Sequence, residues 1–135
     1  SVELLAYAQQ LGLAPWIRLT GYLPQEDIRR VYRLATLFVL PSLDEGFGLP
    51  LLEAMASGVP VAASFASAIP EVAQDAAEYF RPEDPQSMAA KILHLLGSSR
   101  VREELVAKGK KRALDFSWEK AASETLDFYY SFVDK

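Results

Sequence analysis

The stretch that decides the fold runs from residue 37 to residue 58 and reads LFVLPSLDEGFGLPLLEAMASG. Residues 34–43 carry no charged side chain, which is typical of a parallel strand covered on both faces. Two glycines follow this strand. Pro50 suits the first turn of a helix, and Gly58 suits the position just after a helix ends. The stretch therefore predicts a buried strand, a glycine-containing turn and a helix.

Two carboxylates stand out in this stretch. Glu53 is the only charged residue between Glu45 and Glu71, and burying an unpaired charge costs free energy. Helical side chains lean toward the N-terminus of their helix, so Glu53 can point back toward the turn that carries Glu45. We expect both carboxylates to converge at the carboxyl edge of the sheet, where open α/β sheets bind ligands.

The turn itself offers backbone donors for an anion. Gly46, Phe47, Gly48 and Leu49 lie at the start of the expected helix, where amide groups and the helix dipole favour negative charge. Glycine lacks the Cβ that would keep a phosphate away from the backbone. Carboxylates for hydroxyl groups and amides for a phosphate together predict a sugar nucleotide as ligand. The alternative is that the two carboxylates only hydrogen-bond the turn.

Composition limits the remaining possibilities. The chain has 135 residues, half of them hydrophobic and 24% charged, which fits one globular domain over residues 1–135. A net charge of −4 argues against nucleic acid as a principal partner. The absence of cysteine excludes disulfides and cysteine metal sites. No apolar run approaches the roughly 18 residues of a membrane span, so a cytoplasmic location is expected.

Apolar periodicity along the chain predicts alternating helices and strands. This alternation is typical of an α/β fold, with a Rossmann-like parallel sheet and helices on both faces. The terminal helix has more aromatic residues than one face needs. One explanation is a buried closing helix. The four expected strands cover residues 16–20, 36–40, 60–64 and 78–81.

Residues 45–61, EGFGLPLLEAMASGVPV, resemble the E-x7-E signature of the retaining glycosyltransferases of family 4, which have the GT-B fold. The resemblance extends from about Trp16 onward. It includes the segments GYLP at 21–24, SAIPEV at 67–72, FRPEDP at 80–85 and FSW at 116–118.

The resemblance implies that the chain is the second half of a GT-B donor-binding domain. Its first two strands, the N-terminal acceptor domain and the basic residues for the donor diphosphate would then lie outside the chain. In the family the terminal helix crosses back to dock on the other domain, which is the second explanation for its surplus of aromatic residues. Glu45 would contact the donor sugar near its reacting centre, and Glu53 the ribose hydroxyls. The amides of Gly46, Phe47, Gly48 and Leu49 would serve the sugar and the diphosphate.

The activity implied is transfer of a hexose from a UDP-, GDP- or ADP-sugar to a glycan, lipid or small-molecule acceptor, without a metal or other cofactor. The chain alone is expected to be inactive. Family members also work at the inner face of a membrane, which is the alternative to a purely cytoplasmic location.

Two questions stay open at this stage. One concerns function, because the chain could be a non-catalytic α/β protein-interaction module, such as a receiver-like domain. A receiver needs a lysine at a strand end, and no expected strand has one. The other concerns assembly, because the strand at 36–40 would lack a neighbour. We expect two chains to pair as a homodimer rather than the strand at 16–20 to take the vacant place.

Overall fold

The computed structural model describes residues 2–133, which divide into two compact units, residues 2–30 and residues 31–133. The first unit contains α1 (Val2–Gln10), a short 3-10 helix (Ala14–Trp16) and the beginning of α2 (Gln25–Leu34), which continues into the second unit. The second unit carries the sheet and all the residues of the candidate site.

The strand expected at residues 16–20 is not formed, so that prediction is wrong. Trp16 ends the 3-10 helix, and residues 17–20 have no regular structure. Pro15 favours this turn because it fixes its own φ and has no N–H to donate. A strand also needs a neighbour for its backbone groups, and an apolar pattern cannot supply one. The alternative in which residues 16–20 pair with the strand at 36–40 is therefore wrong as well.

The sheet has three parallel strands in the order β1-β2-β3. They are β1 (Phe38–Leu40), β2 (Val61–Ser64) and β3 (Glu78–Phe80). The register places Phe38 opposite Val61 and Ala62 opposite Glu78. The helices of this unit are α3 (Leu49–Ala56), α4 (Ile69–Ala73), α5 (Pro85–Gly97), α6 (Ser99–Ala113) and α7 (Trp118–Val133), and a 3-10 helix (Gln74–Ala76) follows α4. The expected Rossmann-like α/β class is confirmed.

The central strand β2 contributes side chains to two hydrophobic clusters, one on each face of the sheet. Its side chains are fully buried, and they alternate between the two faces of the sheet. Val61 and Ala63 join the cluster formed with α3 and α4. Ala62 joins the cluster that contains Phe80, Leu95 and residues of α6. Both faces of β2 are therefore covered by helices.

The first strand is less protected than its sequence suggests. All three residues of β1 are half-buried, whereas the uncharged run had predicted full cover on both faces. The reason is position, because β1 lies at one end of the strand order. The expectation that a second chain covers this edge stays a prediction.

Polar residues just before α5, α6 and α7 cap the N-termini of these helices. Asp84 accepts a hydrogen bond from the Ser87 amide at 2.9 Å and caps α5; this bond contributes most to holding the pKa of Asp84 below its ordinary value. Ser98 caps α6 by accepting from the Val101 amide at 3.3 Å. Ser117 caps α7 in the same way, by accepting from the Lys120 amide at 3.0 Å.

The terminal helix α7 lies open to solvent. Every side chain described between Trp118 and Phe132 is exposed, so the alternative of a buried closing helix is wrong for this chain. Docking of α7 on another domain stays a prediction. Within residues 2–133, no helix is both long enough and apolar enough to span a membrane.

Candidate functional site

The turn between β1 and α3 has the backbone that its glycines predict. Gly48 has φ 95° and ψ 44°, a left-handed conformation that other residues adopt only with strain. Its carbonyl oxygen accepts the amides of Leu51 and Leu52, at 3.0 and 3.3 Å, and so starts the helix. Within residues 2–133, the amides of residues 46–49 donate to no backbone carbonyl. Gly48 itself is buried, and the binding of an anion by these amides stays a prediction.

Glu45 is held through the segment that precedes it. One carboxylate oxygen of Glu45, Oε2, accepts a hydrogen bond from Ser42 Oγ at 3.3 Å. The carbonyl oxygen of Ser42 in turn accepts from Ser64 Oγ at 2.5 Å. Ser64 is the fully buried last residue of β2, so this chain of contacts connects Glu45 to the buried central strand of the sheet.

A second link joins the loop after β1 to the loop after β2. Ser67 has a φ of 47°, and its hydroxyl donates to Asp44 Oδ1. The amide of the next residue, Ala68, donates to the carbonyl oxygen of Glu45 at 3.4 Å. The sequence did not reveal this link, because contacts between loops leave no periodic signal. The only indication was Ser67, a serine between two alanines.

Glu53 is half-buried in a helix whose neighbouring residues are mostly buried and apolar. Its Oε2 accepts a hydrogen bond from the hydroxyl of Tyr32 at 3.3 Å. That hydroxyl also lies 3.2 Å from the carbonyl oxygen of Pro50, one turn earlier in α3. Burial, followed by the charge of Glu53 and the hydrogen bond to it, raises the pKa of Tyr32 to about 12. The tyrosine therefore stays a neutral donor at physiological pH.

The two carboxylates thus have separate supports, since Glu45 is bonded by Ser42 and Glu53 by Tyr32. Their convergence on one ligand stays a prediction. The sequence alone did not single out Tyr32, because a contact between side chains of two helices leaves no local pattern.

Beside α3 lies a groove of about 510 Å³. Three residues of the sequence-predicted site line it, namely Phe47, Leu49 and Glu53. Across the groove are Phe116 and the first turns of α7, and the ring of Phe116 meets that of Phe47 edge to face at 5.6 Å. The remaining lining residues are Leu52, Ala56, Ala113, Asp115, Ser117, Trp118, Lys120, Ala121 and Glu124. The groove combines apolar walls with carboxylates that can accept hydroxyl groups.

The fold is of the α/β class with a parallel sheet, and comparison with known proteins identifies the family. Residues 2–112 match the family described as glycosyl transferases group 1, and the chain belongs to this family. It is 45% identical over 114 residues to the O-antigen chain mannosyltransferase B of Escherichia coli, a match that covers 84% of this chain and 30% of that protein.

Solved structures agree with the family and its GT-B fold. The C-terminal domain of the group 1 glycosyltransferase LpcC from Francisella tularensis is 34% identical, with a TM-score of 0.74. That match covers 84% of this chain and 60% of the other. Anabaena HepE, solved with UDP and glucose, shares the fold at 22% identity and a TM-score of 0.88, over 96% of this chain and 36% of its own. The chain thus spans about a third of the length of the Escherichia coli mannosyltransferase and of HepE.

Proposed function

We propose that this chain forms the donor-binding part of a retaining hexosyltransferase of family 4 that uses a nucleotide sugar. The observation that carries the proposal is the placement of Glu53. It is a half-buried carboxylate in an apolar helix, held by Tyr32 and facing a groove. A site of this kind suits hydroxyl groups, because a carboxylate accepts several hydrogen bonds in fixed directions.

Each part of the proposed site has a separate role. Glu45, supported by Ser42, contacts the donor sugar near the reacting carbon. The amides of residues 46–49 bind sugar hydroxyls and diphosphate oxygens, and Gly48 allows the close approach. Glu53 accepts hydrogen bonds from the ribose hydroxyls. No step in this assignment calls for a metal ion.

The relatives support the kind of substrate. The Escherichia coli relative transfers mannose to an O-antigen chain by its name, and HepE is seen with UDP and glucose. We accordingly propose a hexose as the transferred group and a UDP-, GDP- or ADP-sugar as the donor. The acceptor is a glycan, a lipid or a small molecule. The acceptor domain and the cations for the diphosphate come from other parts of the enzyme.

The test is calorimetric titration of the full-length protein that carries this chain with UDP-, GDP- and ADP-hexoses, mannose included. One of these donors should bind. Gly48→Ala should weaken the affinity for that donor about tenfold or more, because a side chain at this position strains the turn. The matched control is Gly97→Ala, at a helical glycine with open space around it, which should bind as the wild type does.

Two results would contradict the proposal. In the first, none of the three kinds of donor binds, which is what a non-catalytic interaction module predicts. In the second, a donor binds but Gly48→Ala leaves its affinity unchanged, which would place the donor site elsewhere.

A further inference from the structure

We infer that Tyr32 is a positioning residue for Glu53, and that its hydroxyl fixes the carboxylate in the orientation that binds the donor. This inference rests on the proposed function, because it concerns how strongly the same site holds a nucleotide sugar. It adds a residue of α2 to a site otherwise built from the turn after β1 and from α3.

The position of Tyr32 is determined at both ends of its side chain. Its ring meets the ring of Phe38, the first residue of β1, edge to face at 5.6 Å. Its hydroxyl reaches the carbonyl oxygen of Pro50 at 3.2 Å and Oε2 of Glu53 at 3.3 Å. The side chain therefore bridges the sheet and the first turns of α3, and its one hydroxyl proton is shared between the two acceptors in α3.

This contact matters because a glutamate has three side-chain torsions that must be ordered before it can bind a ligand. An unordered side chain loses that freedom on binding, and the loss weakens affinity. The Tyr32 hydroxyl, as a hydrogen-bond donor to Oε2, orders the carboxylate before the nucleotide sugar binds. A carboxylate offers about four acceptor sites, so the bond from Tyr32 does not prevent Glu53 from accepting ligand hydroxyls.

Tyr79 provides a matched comparison within the same unit. Its ring also meets a phenylalanine, Phe65, edge to face at 5.5 Å. Its hydroxyl also donates to a backbone carbonyl, that of Gln74, at 2.6 Å. The two tyrosines thus have similar packing, but the carboxylate partner in α3 belongs to Tyr32 alone of the pair. Any effect that comes only from losing a packed hydroxyl should appear at both positions.

The experiment measures the donor KM and kcat of the full-length enzyme with Tyr32→Phe, Tyr79→Phe, Glu53→Ala and the double variant Tyr32→Phe/Glu53→Ala. Tyr32→Phe keeps the ring and removes the hydroxyl. We expect it to raise the donor KM about 2- to 12-fold, the range for one hydrogen bond, with kcat changed less than about twofold. Tyr79→Phe should leave KM unchanged, and melting temperatures should identify any general loss of stability.

The double variant separates positioning from stability. If Tyr32 acts through Glu53, removing its hydroxyl should have no further effect on KM once Glu53 is alanine. The inference is overturned if Tyr32→Phe leaves KM at the wild-type value, or if it raises KM equally with and without Glu53. A wild-type KM in Glu53→Ala would instead contradict the proposed role of Glu53 itself, and the inference with it.

Discussion

Helices α3 and α7 are both rich in apolar residues, but their surroundings are opposite. In α3 the side chains of Leu51, Leu52, Ala54 and Met55 are buried, in contact with the central strand and with α6. In α7 every described side chain is exposed, and Trp118 exposes 77% of its surface. The helix that starts at the candidate site is therefore part of the core, whereas the helix across the groove is not.

This difference indicates which of the two helices contributes to the stability of the unit. Apolar side chains stabilise a fold only to the extent that folding removes them from water. Substitutions in α3 should therefore lower the free energy of unfolding, and equivalent substitutions in α7 should not. The following predictions test this contrast, from the largest expected effect to the smallest.

The largest effect should come from a pair of identical truncations. Leu51 is 0% exposed and Leu126 is 53% exposed. Leu51→Ala should lower the free energy of unfolding by about 2–5 kcal/mol, because it leaves a cavity in the core. Leu126→Ala should change it by less than about 0.5 kcal/mol. Urea denaturation of both variants measures the difference, and equal losses would show that α7 is packed in solution.

A second pair of variants tests the contact between α3 and α6. A Cβ at Gly109 would lie 3.1 Å from Cγ and 3.3 Å from Cβ of Met55, which is fully buried. A Cβ at Gly97 would meet nothing within 4 Å. Gly109 lies inside α6, whereas Gly97 is the last residue of α5, so alanine gains up to about 1 kcal/mol more helix propensity at Gly109. Overpacking the core costs about 1–3 kcal/mol. Gly109→Ala should therefore be the less stable of the two variants by up to about 2 kcal/mol.

Thermal melts of these two variants provide the measurement. The prediction fails if both alanines stabilise the protein equally, since Met55 would then have room to move and the α3–α6 contact would be looser than the structure indicates.

The smallest effect concerns pH, and it arises from tyrosines packed near the core. Burial is the largest cause that raises the pKa of Tyr79 to about 12, from an ordinary value of 10. The unfolded chain therefore loses this proton at lower pH than the folded protein does. The stabilisation is fully present below pH 10 and is lost between about pH 10 and 12. Unfolding free energies across this range should fall less steeply for Tyr79→Phe than for the wild type; identical slopes would contradict the assignment.

The difference between α3 and α7 could be predicted from the sequence only in part. The uncharged run before Asp44, the glycines and Pro50 predicted β1, the turn and α3, because local chemistry alone determines such features. The strand at residues 16–20 was wrongly predicted, since pairing depends on a neighbour that no local pattern encodes. For the same reason the aromatic residues of α7 indicated a face suited to packing, without indicating what covers it.

The candidate site likewise contains residues that the sequence indicated and residues that only the structure showed. The spacing of Glu45 and Glu53 and the glycines between them could be found by inspection. Their supports, Ser42 and Tyr32, could not, because one is a short loop contact and the other crosses from α2 to α3. A hydroxyl that packs against a distant carboxylate has no signature in one sequence. Only the folded chain brings these residues together.

The most direct test of the central claim compares two carboxylate variants, Glu45→Gln and Glu53→Ala, in the full-length enzyme. Glu45 is assigned to the reacting sugar and Glu53 to the ribose. Glu45→Gln should therefore lower kcat about 10- to 150-fold, and Glu53→Ala should raise the donor KM by a similar factor, the range for a lost hydrogen bond to a charged group. Wild-type kinetic constants in both variants would contradict the account and leave the two carboxylates as ordinary hydrogen-bond partners of the turn.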